Sequence, residues 1–163
     1  MQTLDYDEVT VHIEAPPEQL YDLIADLTRM PDLSPEILHC EWLDGARSAA
    51  PGVRFRATNK VRRGPSWKNR PIVTVAIRGR EIAWARTEPF AGTVVWRYRF
   101  EPDGSGTRVT ESYEVARPIT RLGWFMIERF GEKDRRSALR SGMERTLQGL
   151  QALVGHAPIN WSW

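Results

Sequence analysis

Hydrophobic and polar positions alternate along most of the chain, and the period changes twice. Val9, Val11 and Ile13 alternate with Thr10 and His12, the period-2 pattern of a half-buried strand. Ala15-Pro16-Pro17 ends it, and proline is tolerated in a first helical turn because its missing N–H would have no partner there. Leu20, Tyr21, Ile24, Ala25 and Leu27 recur at helical spacing. They predict a helix from about Pro17, stopped by Met30-Pro31 before a second short helix over residues 32–37. Strand patterns follow at 38–43, 52–60, 67–78, 81–87, 93–101 and 107–117, with turn residues between them such as Asp44-Gly45, Gly64-Pro65 and Asp103-Gly104-Ser105-Gly106. With the first, these make seven strands. Strands so closely spaced predict an antiparallel meander, since parallel neighbours need crossovers of about a dozen residues.

After Pro118 the period lengthens. Residues 122–130 are short and rich in large apolar groups, and from about Glu132 the positions Leu139, Met143, Leu147, Leu150 and Val154 fall three and four apart. This is one long amphipathic helix with Gly155 as its C-cap. Gly142 and Gly149 inside it cost about 1 kcal/mol each relative to alanine, so they predict close approach to the sheet or a bend. The expected fold is α+β: a seven-stranded curved antiparallel sheet around a long C-terminal helix, with two short helices between the first and second strands. Residues 1–155 read as one domain and 156–163 as a C-terminal tail carrying two tryptophans.

The strand patterns also say which side chains face inward. Trp96, Tyr98 and Phe100 alternate with Arg97, Arg99 and Glu101, and in the next strand the register that buries Val109, Tyr113 and Val115 carries Glu111 inward with them. A buried carboxylate must be paired, hydrogen-bonded or protonated, so an inward glutamate points to a cavity holding water, a partner or a ligand. Phe55 marks the inner face of its strand, which brings Asn59 inward too. Together with Trp67, Trp84, Trp96, Tyr98 and Tyr113, and with Met143 from the long helix, these residues read as an aromatic enclosure with a few hydrogen-bonding groups. Two alternatives stand beside this reading: the rings fill a solid core, and Glu111 pairs with an arginine such as Arg86.

Composition narrows the functional classes. The chain has 163 residues and a net charge of +2, but ten Lys or Arg residues and no Asp or Glu lie between Gly45 and Arg80. That basic segment reads as a solvated sheet face and charged hairpin tip that discourage edge pairing; no helix-turn-helix or RNP-type signature accompanies it, so no specific nucleic-acid partner is expected. The single Cys40 excludes an internal disulfide, and His12, His39 and His156 lack zinc-site spacing, so neither metal nor cofactor is expected. Cys40 itself reads as an apolar filler on a face with Leu38 and Trp42. Asp5, Asp7 and Glu8 stand where a signal peptide would be basic then apolar, and no apolar run is long enough to span a bilayer, so the reading is cytoplasmic, without membrane insertion. No Gly-x-Ser-x-Gly elbow, P-loop or dinucleotide fingerprint occurs. Trp124, Phe125 and Phe130 are candidates for a gate at one end of the long helix or for packing under the sheet edge.

Several stretches resemble a known family. Ala15-Pro16-Pro17-Glu18 followed by Tyr21-Asp22-Leu23-Ile24-Ala25-Asp26-Leu27, then Met30-Pro31 and Ser34-Pro35-Glu36, is similar to the opening of the START-related, polyketide cyclase/dehydrase and lipid-transport superfamily (SRPBCC, Bet v 1-like). Gly52-Val53-Arg54-Phe55, Asn59, Trp67, Ile82-Ala83-Trp84, Trp96-Arg97-Tyr98, Gly106-Thr107-Arg108-Val109-Thr110-Glu111 and Gly142-Met143-Glu144-Arg145-Thr146-Leu147 extend the resemblance over about residues 5–155. It implies a helix-grip fold with a hydrophobic cavity that different members use for lipids, sterols, quinones or polyketides, and it implies no single reaction. The preferred expectation is a carrier, sensor or sequestering protein for a hydrophobic small molecule. The alternatives are an aromatase/cyclase or dehydratase-type enzyme with Glu111 as acid or base, and a protein-interaction module using the basic hairpin. Oligomeric state is not legible.

Overall fold

Most period-2 segments become strands and most 3.6-period segments become helices. The computed structural model describes residues 3–60, 63–130 and 133–155. In chain order these form β1 (Tyr6–Ile13), α1 (Pro17–Ala25), a 3-10 turn (Leu27–Arg29), α2 (Met30–Leu33), β2 (Ile37–Trp42), β3 (Phe55–Asn59), β4 (Trp67–Asn69), β5 (Ile72–Ile77), β6 (Glu81–Glu88), β7 (Gly92–Asp103), β8 (Gly106–Arg117), α3 (Arg121–Phe130) and α4 (Arg135–Gly155). The α+β helix-grip expectation is borne out. The tail 156–163, Arg62 and the side chain of Phe130 lie outside the described residues.

The strand count differs from the expected seven: among the described residues eight strands form two sheets, ordered β1-β8-β7-β6-β5 and β2-β3-β4. The expected strand 67–78 is broken at Arg70-Pro71, because proline has no N–H to give a ladder. β4 stays beside β3, and β5 crosses over to pair with β6. The stretch leading into β3 ties the sheets together: Val73 N–H donates to Val53 O at 2.8 Å and Phe55 N–H to Pro71 O at 3.2 Å. All ladders are antiparallel, as the short connections require.

The second helix also departs from expectation. It covers Met30–Leu33 rather than 32–37, because Pro31 falls in the first turn, where its absent N–H costs nothing. In β2 a register shift between Ile37 and His39 takes Leu38 out of the ladder and leaves it exposed, so it does not share the buried face of Cys40.

α4 closes the structure. Leu147 and Leu150 are fully buried with Leu20, Ile24 and Val109 in the larger core cluster, while Leu139 and Met143 join Tyr113, Val94 and Trp124 in a second one. The close approach predicted from Gly149 exists, but toward α2: a Cβ there would stand 3.3 Å from Leu33 Cδ2. Gly142 meets nothing within 4 Å and borders the cavity described next.

Candidate functional site

A cavity of about 520 Å³ lies between the inner faces of the two sheets and the helices α3 and α4. Phe55, Asn59, Trp67, Trp84, Trp96, Tyr98, Glu111, Tyr113 and Met143 all line it. The period-2 logic explains why: once Phe55 and Trp84 face the core, every second residue on β3, β6, β7 and β8 must face it as well.

The register orders these side chains into rows. Ile82, Tyr98 and Glu111 stand opposite one another across β6, β7 and β8; two residues further along, Trp84, Trp96 and Tyr113 form the next row; after another two come Arg86, Val94 and Val115. Successive rows are separated by roughly 7 Å of strand. The aromatic row is held by its own ring contacts. Trp84 packs on Tyr98 at 5.7 Å and edge-on to Phe55 at 5.9 Å, and Trp96 packs on Tyr113 at 5.5 Å.

In the first row Tyr98 Oη donates to Glu111 Oε1 at 2.7 Å. Tyr98 is 2% exposed and Glu111 4%. Glu111 Oε2 is buried with no hydrogen-bond partner among the described residues. Burial pushes the Glu111 carboxyl up to about 8, against the smaller opposing effect of the Tyr98 hydrogen bond, and burial beside that carboxyl holds the Tyr98 phenol well above its usual range. At neutral pH Glu111 is therefore mostly a neutral acid. Its proton belongs on Oε2, because Oε1 already accepts from Tyr98.

The alternative pairing of Glu111 with Arg86 does not form. Arg86 lies two rows away and pairs with Glu88 instead, Nη1 to Oε2 at 3.6 Å. Around it is a polar cluster that the sequence reading did not assemble. Asn69 Nδ2 donates to Glu88 Oε1 at 3.0 Å, and Arg135 holds Glu36 with two hydrogen bonds of 2.6 and 3.0 Å. All five line the cavity. The parity of β6 carried the signal for two of them, since Arg86 and Glu88 share the face of Trp84; Glu36 and Arg135 are 99 positions apart and carry none.

Asn59 is buried, and its Nδ2 makes a long 3.4 Å bond to Ala57 O. Of the aromatic residues named as gate or packing, Trp124 is buried in the second core cluster, whereas Phe125 is exposed and does not line the cavity. Met126 and Phe90, both on the cavity rim, are half exposed. α3 is fastened to that rim. Thr120 N–H and Oγ1 both donate to Phe90 O, at 3.1 and 2.9 Å, and Gly123 N–H donates to Thr120 Oγ1 at 3.1 Å, an N-cap. Burial raises the Cys40 thiol to about 12, which removes it as a nucleophile. Among the described residues no group of three metal-ligating side chains occurs, and no helix is long and apolar enough to cross a membrane.

A sheet wrapped on a long helix around a cavity with an aromatic wall defines a helix-grip protein. The chain belongs to the polyketide cyclase / dehydrase and lipid transport family, whose model matches residues 8–155. It is similar to a polyketide-cyclase-like protein of Corynebacterium glutamicum, with 31% identity over 92% of this chain and 91% of that one and a TM-score of 0.59. A START superfamily protein of Mycobacterium smegmatis shares the fold at 16% identity, TM-score 0.69, over 93% and 97% of the two chains. So does the di-domain aromatase/cyclase of the steffimycin biosynthetic pathway, at 13% identity and TM-score 0.70, where 90% of this chain covers 49% of that protein. No curated protein sequence matches the chain.

Proposed function

We propose that this protein binds a hydrophobic, planar or lipid-like small molecule in its internal cavity, as a carrier, sensor or sequestering protein. The observation that carries this reading is the cavity wall: the row Trp84, Trp96 and Tyr113, with Phe55 and Met143, presents apolar surface to about 520 Å³ of space instead of filling it. Rings that served only as core would close on one another, because protein interiors pack to crystal-like density. The membership of a family described by both cyclisation and lipid transport supports a hydrophobic ligand without selecting between the two.

The test is uptake of a neutral environment-sensitive dye, Nile red, by the folded protein, with native mass spectrometry of protein purified from its host. The expected results are saturable binding at a defined ratio, a changed affinity in Trp96→Ala, and a retained small molecule. A folded protein that takes up neither dye nor lipid overturns the reading.

A second reading, an aromatase/cyclase or dehydratase type of enzyme, is favoured by one observation. Glu111 keeps its proton near neutral pH and is steered by Tyr98, the state a general acid needs. The resemblance in fold to an aromatase/cyclase is compatible with it.

A further inference from the structure

The polar cluster at the third row carries more than the cavity alone. Arg86 is charged, four-fifths buried and part of the cavity wall, yet its Nη1 makes no hydrogen bond among the described residues. Its nearest carboxylate oxygen, Glu88 Oε2, is 3.6 Å away, beyond a good hydrogen bond. The other Glu88 oxygen is engaged by Asn69, whose own Oδ1 is buried without a partner. Glu36, the other carboxylate that acts on Arg86, is bound at both oxygens by Arg135. Burial of a guanidinium nitrogen without a hydrogen bond is expensive.

Resting on the cavity-binding reading, we infer that the ligand carries a carboxylate that docks at Arg86, with its apolar body along the Trp84–Trp96–Tyr113 row. Nη1 itself is sealed from the cavity, but the remaining fifth of the side chain that is exposed lines it, and there a carboxylate supplies the under-compensated charge with an acceptor in the planar geometry that suits this donor. A dianionic phosphate fits less well, because Glu88 and Glu36 stand close by and the cluster holds only as many cations as carboxylates. The far end of such a ligand reaches the Tyr98–Glu111 row two rows away, roughly 13 Å along the strands. The ligand class is therefore a hydrophobic acid.

Fluorescent probes of one shape and different heads test this. Pyrenebutyric acid, its methyl ester and the corresponding alkyl phosphate are titrated into the folded protein at pH 7.4, beside Nile red. Binding of the acid at least about tenfold tighter than the ester supports the inference, as does an Arg86→Gln variant that loses that preference while still binding the ester. Equal affinity of acid and ester in the unaltered protein overturns the inference and leaves the cavity reading intact. Phosphate binding tighter than the acid overturns the carboxylate assignment. Loss of all three probes and of Nile red overturns the cavity reading itself. The comparison of acid with ester needs no variant, so it decides even if Arg86→Gln does not fold.

Discussion

A carboxyl group with one oxygen held by a phenol and the other without a partner ties ligand chemistry to stability. Glu111 titrates near 8 in the folded chain against 4.5 ordinarily. Between those values the folded state holds a proton that the unfolded state has released, so this group's contribution to stability falls as pH rises from about 4.5 to about 8 and is level beyond. At about 1.36 kcal/mol per unit the fall is bounded by roughly 5 kcal/mol. Glu111→Gln keeps the shape and removes the titration. Urea unfolding at pH 5 and pH 8 is expected to show the variant gaining on the parent at the higher pH, and an unchanged difference would contradict the neutral-acid assignment. The same variant separates the two functional readings. In a binding protein, ligand affinity stays within about tenfold of the parent. In an enzyme using Glu111, turnover of the bound ligand falls by roughly 10²–10⁴ with binding retained.

Among the elements, two glycines make opposite predictions from their surroundings. A Cβ at Gly123 would stand 2.0 Å from Phe90 O, so Gly123→Ala must push α3 off the β6–β7 hairpin that it caps. The expected cost is about 1–3 kcal/mol in urea unfolding, with altered Nile red affinity because the cavity rim moves. Gly142 meets nothing, and Gly142→Ala is expected to stabilise α4 by up to about 1 kcal/mol. Similar effects of the two substitutions would refute the contrast. Most of this layer was legible in the chain: alternation located the inward faces of β3, β6, β7 and β8, and hence Glu111 and the aromatic row. The break at Arg70-Pro71 was marked by a proline, but the pattern on either side of it read as a single strand. The pairing of Tyr98 with Glu111, and of Arg135 with Glu36, was not legible, because periodicity gives a side chain's face and never its partner across the fold.

For the whole molecule, the two sheets are unequal walls around one space. The five-stranded sheet carries Glu111, Trp96 and Arg86 on ladders up to eleven residue pairs long, whereas the three-stranded sheet holds Phe55, Asn59 and Trp67 on ladders of five and three pairs. The hydrogen bonds between residues 52–55 and 71–73 join the walls near one corner, whereas at the Asn59–Trp67 end the short β3–β4 ladder is supplemented by the side-chain bond from Asn69 to Glu88 and the bond from Lys60 N–H to Glu36 O. Local opening is cheapest where a segment has few neighbours to hold it. Among the strands that line the cavity, amide hydrogen exchange is therefore expected to be fastest in β4, the short edge strand, in the empty protein and to slow there most when a ligand binds, with β7 and β8 little changed. Uniform slowing across both sheets would contradict this. On the proposed binding reading, the break at Pro71 is a seam: the wall beyond it is expected to open for a guest while the wall that carries Glu111 and Arg86 stays in place.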